Sequence, residues 1–217
     1  MMRNSLTATF HCVIIGLAAF LPASAHAARP FVTDDARIVD RDHCQLETFI
    51  KSQRAYAGSE FWFLPACNPL GAELTLGWNR IEEDRNTILQ AKFLLKPLET
   101  NGSGFAISIG SFGGEPYVNG IGSFSFADDR STVHVNLGAA RSNINKGTWG
   151  LGLEQLLFAP RLYGILEGYG QTGDKTTLHV GLRFWVVPNR VQIDSTLGFQ
   201  RPSPERRFFT LGLRLLF

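Results

Sequence analysis

The last ten residues, Phe208-Phe209-Thr210-Leu211-Gly212-Leu213-Arg214-Leu215-Leu216-Phe217, alternate without a break. Phe209, Leu211, Leu213, Leu215 and Phe217 fall on one face; Phe208, Thr210, Gly212, Arg214 and Leu216 fall on the other. A strand carries this pattern when one side meets an apolar phase and the other a polar one. Few soluble domains leave an apolar aromatic at a terminus, where burial is weakest. A final strand closing a transmembrane barrel would have this form.

The same polarity recurs upstream. Segments at 44–53, 60–64, 73–79, 87–96, 104–112, 117–126, 132–140, 148–157, 161–171, 176–187 and 191–200 read as strands separated by turn chemistry. Pro65-Ala66-Cys67-Asn68-Pro69 reads as a firm stop. With the terminal segment the count is twelve, and an even count returns both termini to one side of a closed sheet. The fold class expected is therefore all-β: a closed antiparallel transmembrane β-barrel of about twelve strands, over residues 44–217.

Alternation alone does not say which face is inside, since a soluble ligand-binding barrel also alternates. Composition decides. Charged residues make up 18% of the chain, and the polar faces are mostly Gly, Ser, Thr, Asn and Gln, too poor in charge for a water-facing exterior. The apolar faces are almost free of charge, as lipid contact requires. Trp78 and Trp149 fall on the apolar face beside loops of one end, where an aromatic girdle would sit. A net charge of +2 gives no field for nucleic acid.

The N-terminus has the parts of a secretory signal peptide. Met1-Met2-Arg3 is a short basic start, residues 12–21 are apolar, and Ala25-His26-Ala27 is a small-x-small cleavage pattern, giving a signal peptide over residues 1–27. The apolar run is about half the ~20 residues that a spanning helix needs. After cleavage Cys44 and Cys67 remain, and an oxidising compartment favours a disulfide over two free thiols. A metal pair is poorly served by these two cysteines. Twelve strands would put both cysteines at one rim.

Residues 28–43 (ARPFVTDDARIVDRDH) have no periodicity and are dense in Asp and Arg. Two placements are open for this leader: a loose periplasmic tail, or a partial plug in which Asp34, Asp35, Arg37 and Asp42 meet charges of the lumen. With lipid outside, the inward face receives Glu47, Lys51, Glu73, Lys92, His134, Glu154, Glu167, His179, Arg183, Asp194 and Arg214, with Glu60 and Lys96. Acids and bases are nearly balanced, which favours structural pairs over an ion-selective ring of one sign. Inward glycines such as Gly150 and Gly198 leave space.

Catalysis finds little support. The only tempting set, His179 with Asp194 and Ser195, fails because sequential strand residues point to opposite faces. No metal spacing, phosphate loop or nucleotide motif is present, so no cofactor is expected. An outer-membrane hydrolase would need activity lost in His134→Ala or His179→Ala.

Residues 29–47 (RPFVTDDARIVDRDHCQLE), 60–69 (EFWFLPACNP) and 180–198 (VGLRFWVVPNRVQIDSTLG) resemble a family of proteobacterial outer-membrane proteins labelled as meta-pathway phenol-degradation or porin-like proteins. The resemblance implies an outer-membrane barrel in bacteria that handle aromatic compounds, and no catalytic residues. It also implies that Phe217 is part of a signal read by the barrel-assembly machinery. The expected partners are thus outer-membrane lipid, that machinery and a small solute. Two roles follow: passive passage or binding of small solutes, aromatic ones by the family resemblance, or a closed structural or surface-interaction barrel.

Overall fold

The computed structural model describes residues 32–53, 58–141, 145–158, 160–201 and 207–217. Residues 1–31, and so the expected signal peptide and the start of the leader, lie outside them. The strands are β1 (Cys44–Gln53), β2 (Ser59–Cys67), β3 (Ala72–Ile81), β4 (Asp84–Lys96), β5 (Ser103–Phe112), β6 (Glu115–Phe126), β7 (Ser131–Arg141), β8 (Asn145–Leu156), β9 (Leu162–Gln171), β10 (Thr177–Val187), β11 (Val191–Gln200) and β12 (Arg207–Leu216). No helix occurs among the described residues.

Each strand pairs antiparallel with its sequence neighbour, and β12 closes on β1 with Glu47 opposite Arg214 and Ile50 opposite Leu211. At the terminal end Cys44 N–H donates to the Phe217 carbonyl at 2.8 Å, and Phe217 N–H donates to the Cys44 carbonyl at 3.0 Å. The twelve-stranded closed barrel is therefore as expected, with no unpaired edge. Cys44 and Cys67 stand directly opposite in the β1–β2 ladder and are disulfide-bonded.

The polarity is inside-out. Leu76, Leu137 and Leu197 on the outer face are 65%, 66% and 61% exposed, whereas Arg183, His134 and Gln192 on the inner face are 1%, 0% and 0% exposed. At the end opposite the termini, the outer face carries Trp78, packed against Phe61 and Phe63 with centroids 5.4 and 6.0 Å away. Trp149 lies at the same end and covers Gly168 and Gly170, where a Cβ would come within 3.9 and 3.2 Å of its ring. A large ring over bare backbone shields glycine-rich strand from its surroundings.

Two expectations need correction. Pro65 does not end β2, which runs on to Cys67. Pro65 keeps its place opposite Leu46 in β1, while on the β3 side the paired positions skip from Phe63 to Ala66. A residue without an N–H is tolerated where a ladder is interrupted. Lys96 does not reach the lumen. A register shift between Leu94 and Lys96 sets it opposite the outward Phe105, and its Nζ pairs with Glu99 in the following turn at 3.3 Å. A bulge re-aims every side chain beyond it, and strict alternation cannot foresee one.

Candidate functional site: a strapped lumen beneath a vestibule

The eleven lumen candidates all stand on the inner face, and their charges are used against one another. Lys51 Nζ lies 2.7 Å from Glu60 Oε1. Arg183 holds Asp194 at 2.9 Å through Nε and is hydrogen-bonded to Glu154 through Nη1. Gln192 Nε2 completes that group by donating to both Asp194 oxygens at 2.9 and 3.1 Å. Arg214 faces Glu47 at 3.6 Å and donates to Gln45. His179 Nδ1 sits 3.0 Å from Glu167 Oε2, with its ring between Tyr169 and Phe208. Each pair links adjacent or next-but-one strands, so the charges form a belt of cross-strand ties. Breaking one partner of such a buried tie costs far more than the pair contributes.

The remaining candidates, Glu73, Lys92 and His134, meet the leader or the groups that hold it. From the terminal rim residues 32–43 climb the interior, and the wall supplies the hydrogen bonds that an extended backbone lacks. Val39 N–H donates to Glu73 Oε2 at 2.8 Å, while Asn68 Nδ2 donates to the Val39 carbonyl at 2.7 Å. Ala36 N–H donates to Ser123 Oγ at 2.8 Å. Asn136 grips Asp34 from both sides, accepting its N–H at 2.6 Å and donating to its carbonyl at 2.8 Å. Thr33 N–H donates to Glu167 Oε1. Lys92 Nζ meets Asp34 at 2.7 Å and Asp35 at 3.1 Å. Burial pushes the Asp35 carboxyl up, but Lys92 and then Arg37 outweigh it and hold its pKa well below the usual carboxylate range.

Of the leader charges expected to meet the lumen, Asp34 and Asp35 do so. Arg37 pairs within the leader, 3.7 Å from Asp35, and its charge also acts on Glu154 of the wall. Asp42 stays at the rim with φ 62°, its N–H donating to the Asn68 carbonyl at 2.8 Å. Gly150 shows what the inward glycines provide: a Cβ there would stand 2.6 Å from Thr33 Oγ1. The leader occupies the space that this glycine leaves.

Above the leader lies a cavity of about 810 Å3, floored by Val32, Thr33 and Asp34 and walled by the halves of the strands away from the termini. Its aromatic wall was not recognised in the sequence as inward. Trp62 stacks between Phe49 and Phe112, with centroids 5.2 and 5.7 Å apart and planes inclined by 13° and 24°. Trp62 Nε1 donates to Glu60 Oε2 at 3.2 Å, and Tyr117 Oη donates to Gln90 Oε1 at 2.8 Å. The signal was present: Glu60 is inward, so Trp62, two residues on, must be inward too.

His134 has a second unforeseen arrangement. Its Nδ1 is 2.8 Å from Ser123 Oγ and its Nε2 is 3.6 Å from Glu154 Oε1. These are the residue types of a nucleophilic triad. Here Ser123 is 0% exposed and accepts the Ala36 N–H, which places the serine under the leader and away from any substrate. Asp194 is inward and Ser195 is not, as the alternation required.

A family model described as "Uncharacterised conserved protein UCP029691" matches residues 16–217. The chain belongs to this family. No curated protein matches the sequence. Among solved structures it is similar to the KdgM porin, with 14% identity and a TM-score of 0.63 over 80% of this chain and 99% of that one. It is also similar to the NanC porin, with 8% identity and a TM-score of 0.57 over 79% and 98% of the two chains. The outer membrane protein Omp33 of Acinetobacter baumannii gives 7% identity and a TM-score of 0.55 over 81% and 98%. At these identities the likeness is one of fold.

Proposed function

We propose that this chain is a barrel of the outer membrane of a Gram-negative bacterium that binds small solutes and passes them without expenditure of energy, aromatic ones among them. Export would rest on the signal peptide over residues 1–27, and insertion on the barrel-assembly machinery acting through the C-terminal strand. What carries the reading is a cavity of about 810 Å3 inside an inside-out barrel. Ligand pockets commonly enclose about 300–1,000 Å3. An exterior of leucines suits hydrocarbon, and strands of about ten residues suit the thickness of a bilayer. The KdgM and NanC structures of similar fold are described as porins, which supports a channel role. The aromatic preference rests on the family resemblance and on Trp62, Phe112 and Tyr117 beside the cavity.

The leader favours a second reading, a closed barrel, because its backbone is tied across the lumen. Planar-bilayer recordings of the mature chain and of a chain lacking residues 30–41 separate the two. Discrete conductance steps that grow when the leader is removed support a strapped channel. No steps from either protein refute passage and leave the closed barrel. Steps of equal size refute the strap as an obstruction.

A further inference from the structure

We propose that the cavity above the leader is a site for neutral, ring-shaped, hydroxyl-bearing compounds and discriminates against their carboxylated counterparts. This deepens the reading of the cavity as a solute site and rests on it. The argument starts with charge. Among the described residues three charged ones line the cavity: Asp34, Asp174 and Lys175. Asp34 is neutralised by Lys92 at 2.7 Å, Asp174 by Lys146 at 3.3 Å, and Lys175 is not free. Deeper in the lumen Arg183 and Arg214 are held by carboxylates in turn. Among the described residues, an anionic solute would therefore meet a wall that offers it no spare cation.

The remaining polar lining is neutral and two-sided in its hydrogen bonding. Asn119, Gln171 and Gln200 bring amides and Thr148 brings a hydroxyl, beside the hydrogen-bonded Tyr117 and Gln90. Amides and hydroxyls both donate and accept, as a solute hydroxyl does. Trp62 and Phe112 add apolar ring surface at the same level. Neutral donors and acceptors around aromatic surface match a ring with hydroxyls at its edge. A carboxylate desolvated there without a counter-ion loses several kcal/mol, so its binding is expected to be weaker by about tenfold or more.

The test is calorimetric titration of the folded, detergent-solubilised mature protein with two matched pairs: phenol against benzoate, and methyl glucoside against methyl glucuronoside. Saturable heat from at least one neutral compound, with its acid partner at least about tenfold weaker, supports the site. The pair that responds says whether ring or hydroxyls dominate. Equal or tighter binding of the acids, or no saturable heat from either neutral compound, overturns it. A Thr148→Lys protein guards against a trivial loss of folding. It is expected to gain affinity for the acid by about tenfold and so reverse the preference; an unchanged preference counts against the cavity as the place of binding. Titration needs no conduction, so binding without conductance steps would refute passage and keep the site, and steps without neutral binding would do the reverse.

Discussion

Lys92→Met should release the leader. Lys92 is 2% exposed, and its ammonium pairs with both Asp34 and Asp35. Removing one partner from a buried ion pair costs about 3–5 kcal/mol, because a charge is left without compensation. Protonating Asp35 instead, about three pH units above its ordinary pKa at neutrality, costs about 4 kcal/mol. Either route gives a loss of similar size. Six hydrogen bonds tie leader to wall between Thr33 and Val39, each contributing about 1 kcal/mol. Ordering the same stretch costs about 1–2 kcal/mol per residue, so those bonds alone leave no surplus. The leader should then shift toward its released form by a factor of about 10²–10³. Arginine-specific proteolysis of the folded barrel reads this as faster cleavage after Arg37, followed by mass spectrometry. A triple variant with Asp34→Asn and Asp35→Asn should recover part of the protection, since neither aspartate then carries a charge that has lost Lys92. The pH dependence separates the two proteins. In the unaltered chain the Asp35 pKa is lowered, so its contribution is complete above about pH 4 and disappears as pH falls through the lowered value. In Lys92→Met the carboxyls favour the bound state only when protonated, so protection should return as pH falls toward their ordinary pKa and be complete below about 4. Cleavage of Lys92→Met no faster than the unaltered chain at pH 7 would refute the electrostatic anchor.

Three further outcomes are expected. Gly150→Val should displace Thr33, whose Oγ1 would lie 2.6 Å from a new Cβ, and raise single-channel conductance while the barrel still folds. Replacing Cys44 and Cys67 with serine opens a link of sequence separation 23 and should cost about 3 kcal/mol, read as earlier unfolding in a denaturant series, with conductance unchanged. Deleting Phe217 should lower insertion yield more than it lowers the stability of the inserted barrel, measured as membrane-fraction abundance against unfolding midpoint; normal yield would count against the C-terminal strand as an assembly signal.

The fold was legible because a closed barrel repeats one rule twelve times. Leu211, Leu213 and Leu215 against Thr210, Gly212 and Arg214 state that rule in a single strand, and eleven other segments repeat it. What escaped was whatever breaks the period. The shift before Lys96 costs one residue in register and moves its side chain to the rim, and no residue type in Leu94-Leu95-Lys96 announces it. Inward apolar residues such as Trp62, Ile121 and Trp185 escaped for a different reason. Once a face is assigned as polar, an aromatic upon it looks like noise, whereas in a narrow lumen it fills volume beside the polar groups. The Lys92–Asp34 contact joins residues 58 apart in sequence, so charge balance could suggest pairing and not the partners.

The way in which the leader is held bears on whether it can move. Glu73, Ser123, Asn136 and Glu167 accept its backbone N–H groups, and Lys92 meets its side-chain charge at Asp34 and Asp35. On the outer face of a membrane barrel, an unpaired backbone group has no replacement partner. Inside, water is the replacement: if the leader withdraws, the same carboxylates, hydroxyls and amides exchange one hydrogen bond for another at small net cost. The cross-strand ties do not depend on it, because Arg183 with Asp194 and Lys51 with Glu60 are complete without any leader atom. Those ties are therefore complete with or without the strap, whose backbone is attached by the class of contacts most easily exchanged for water, with Lys92 as its charged anchor. That combination suits a removable obstruction better than a permanent core.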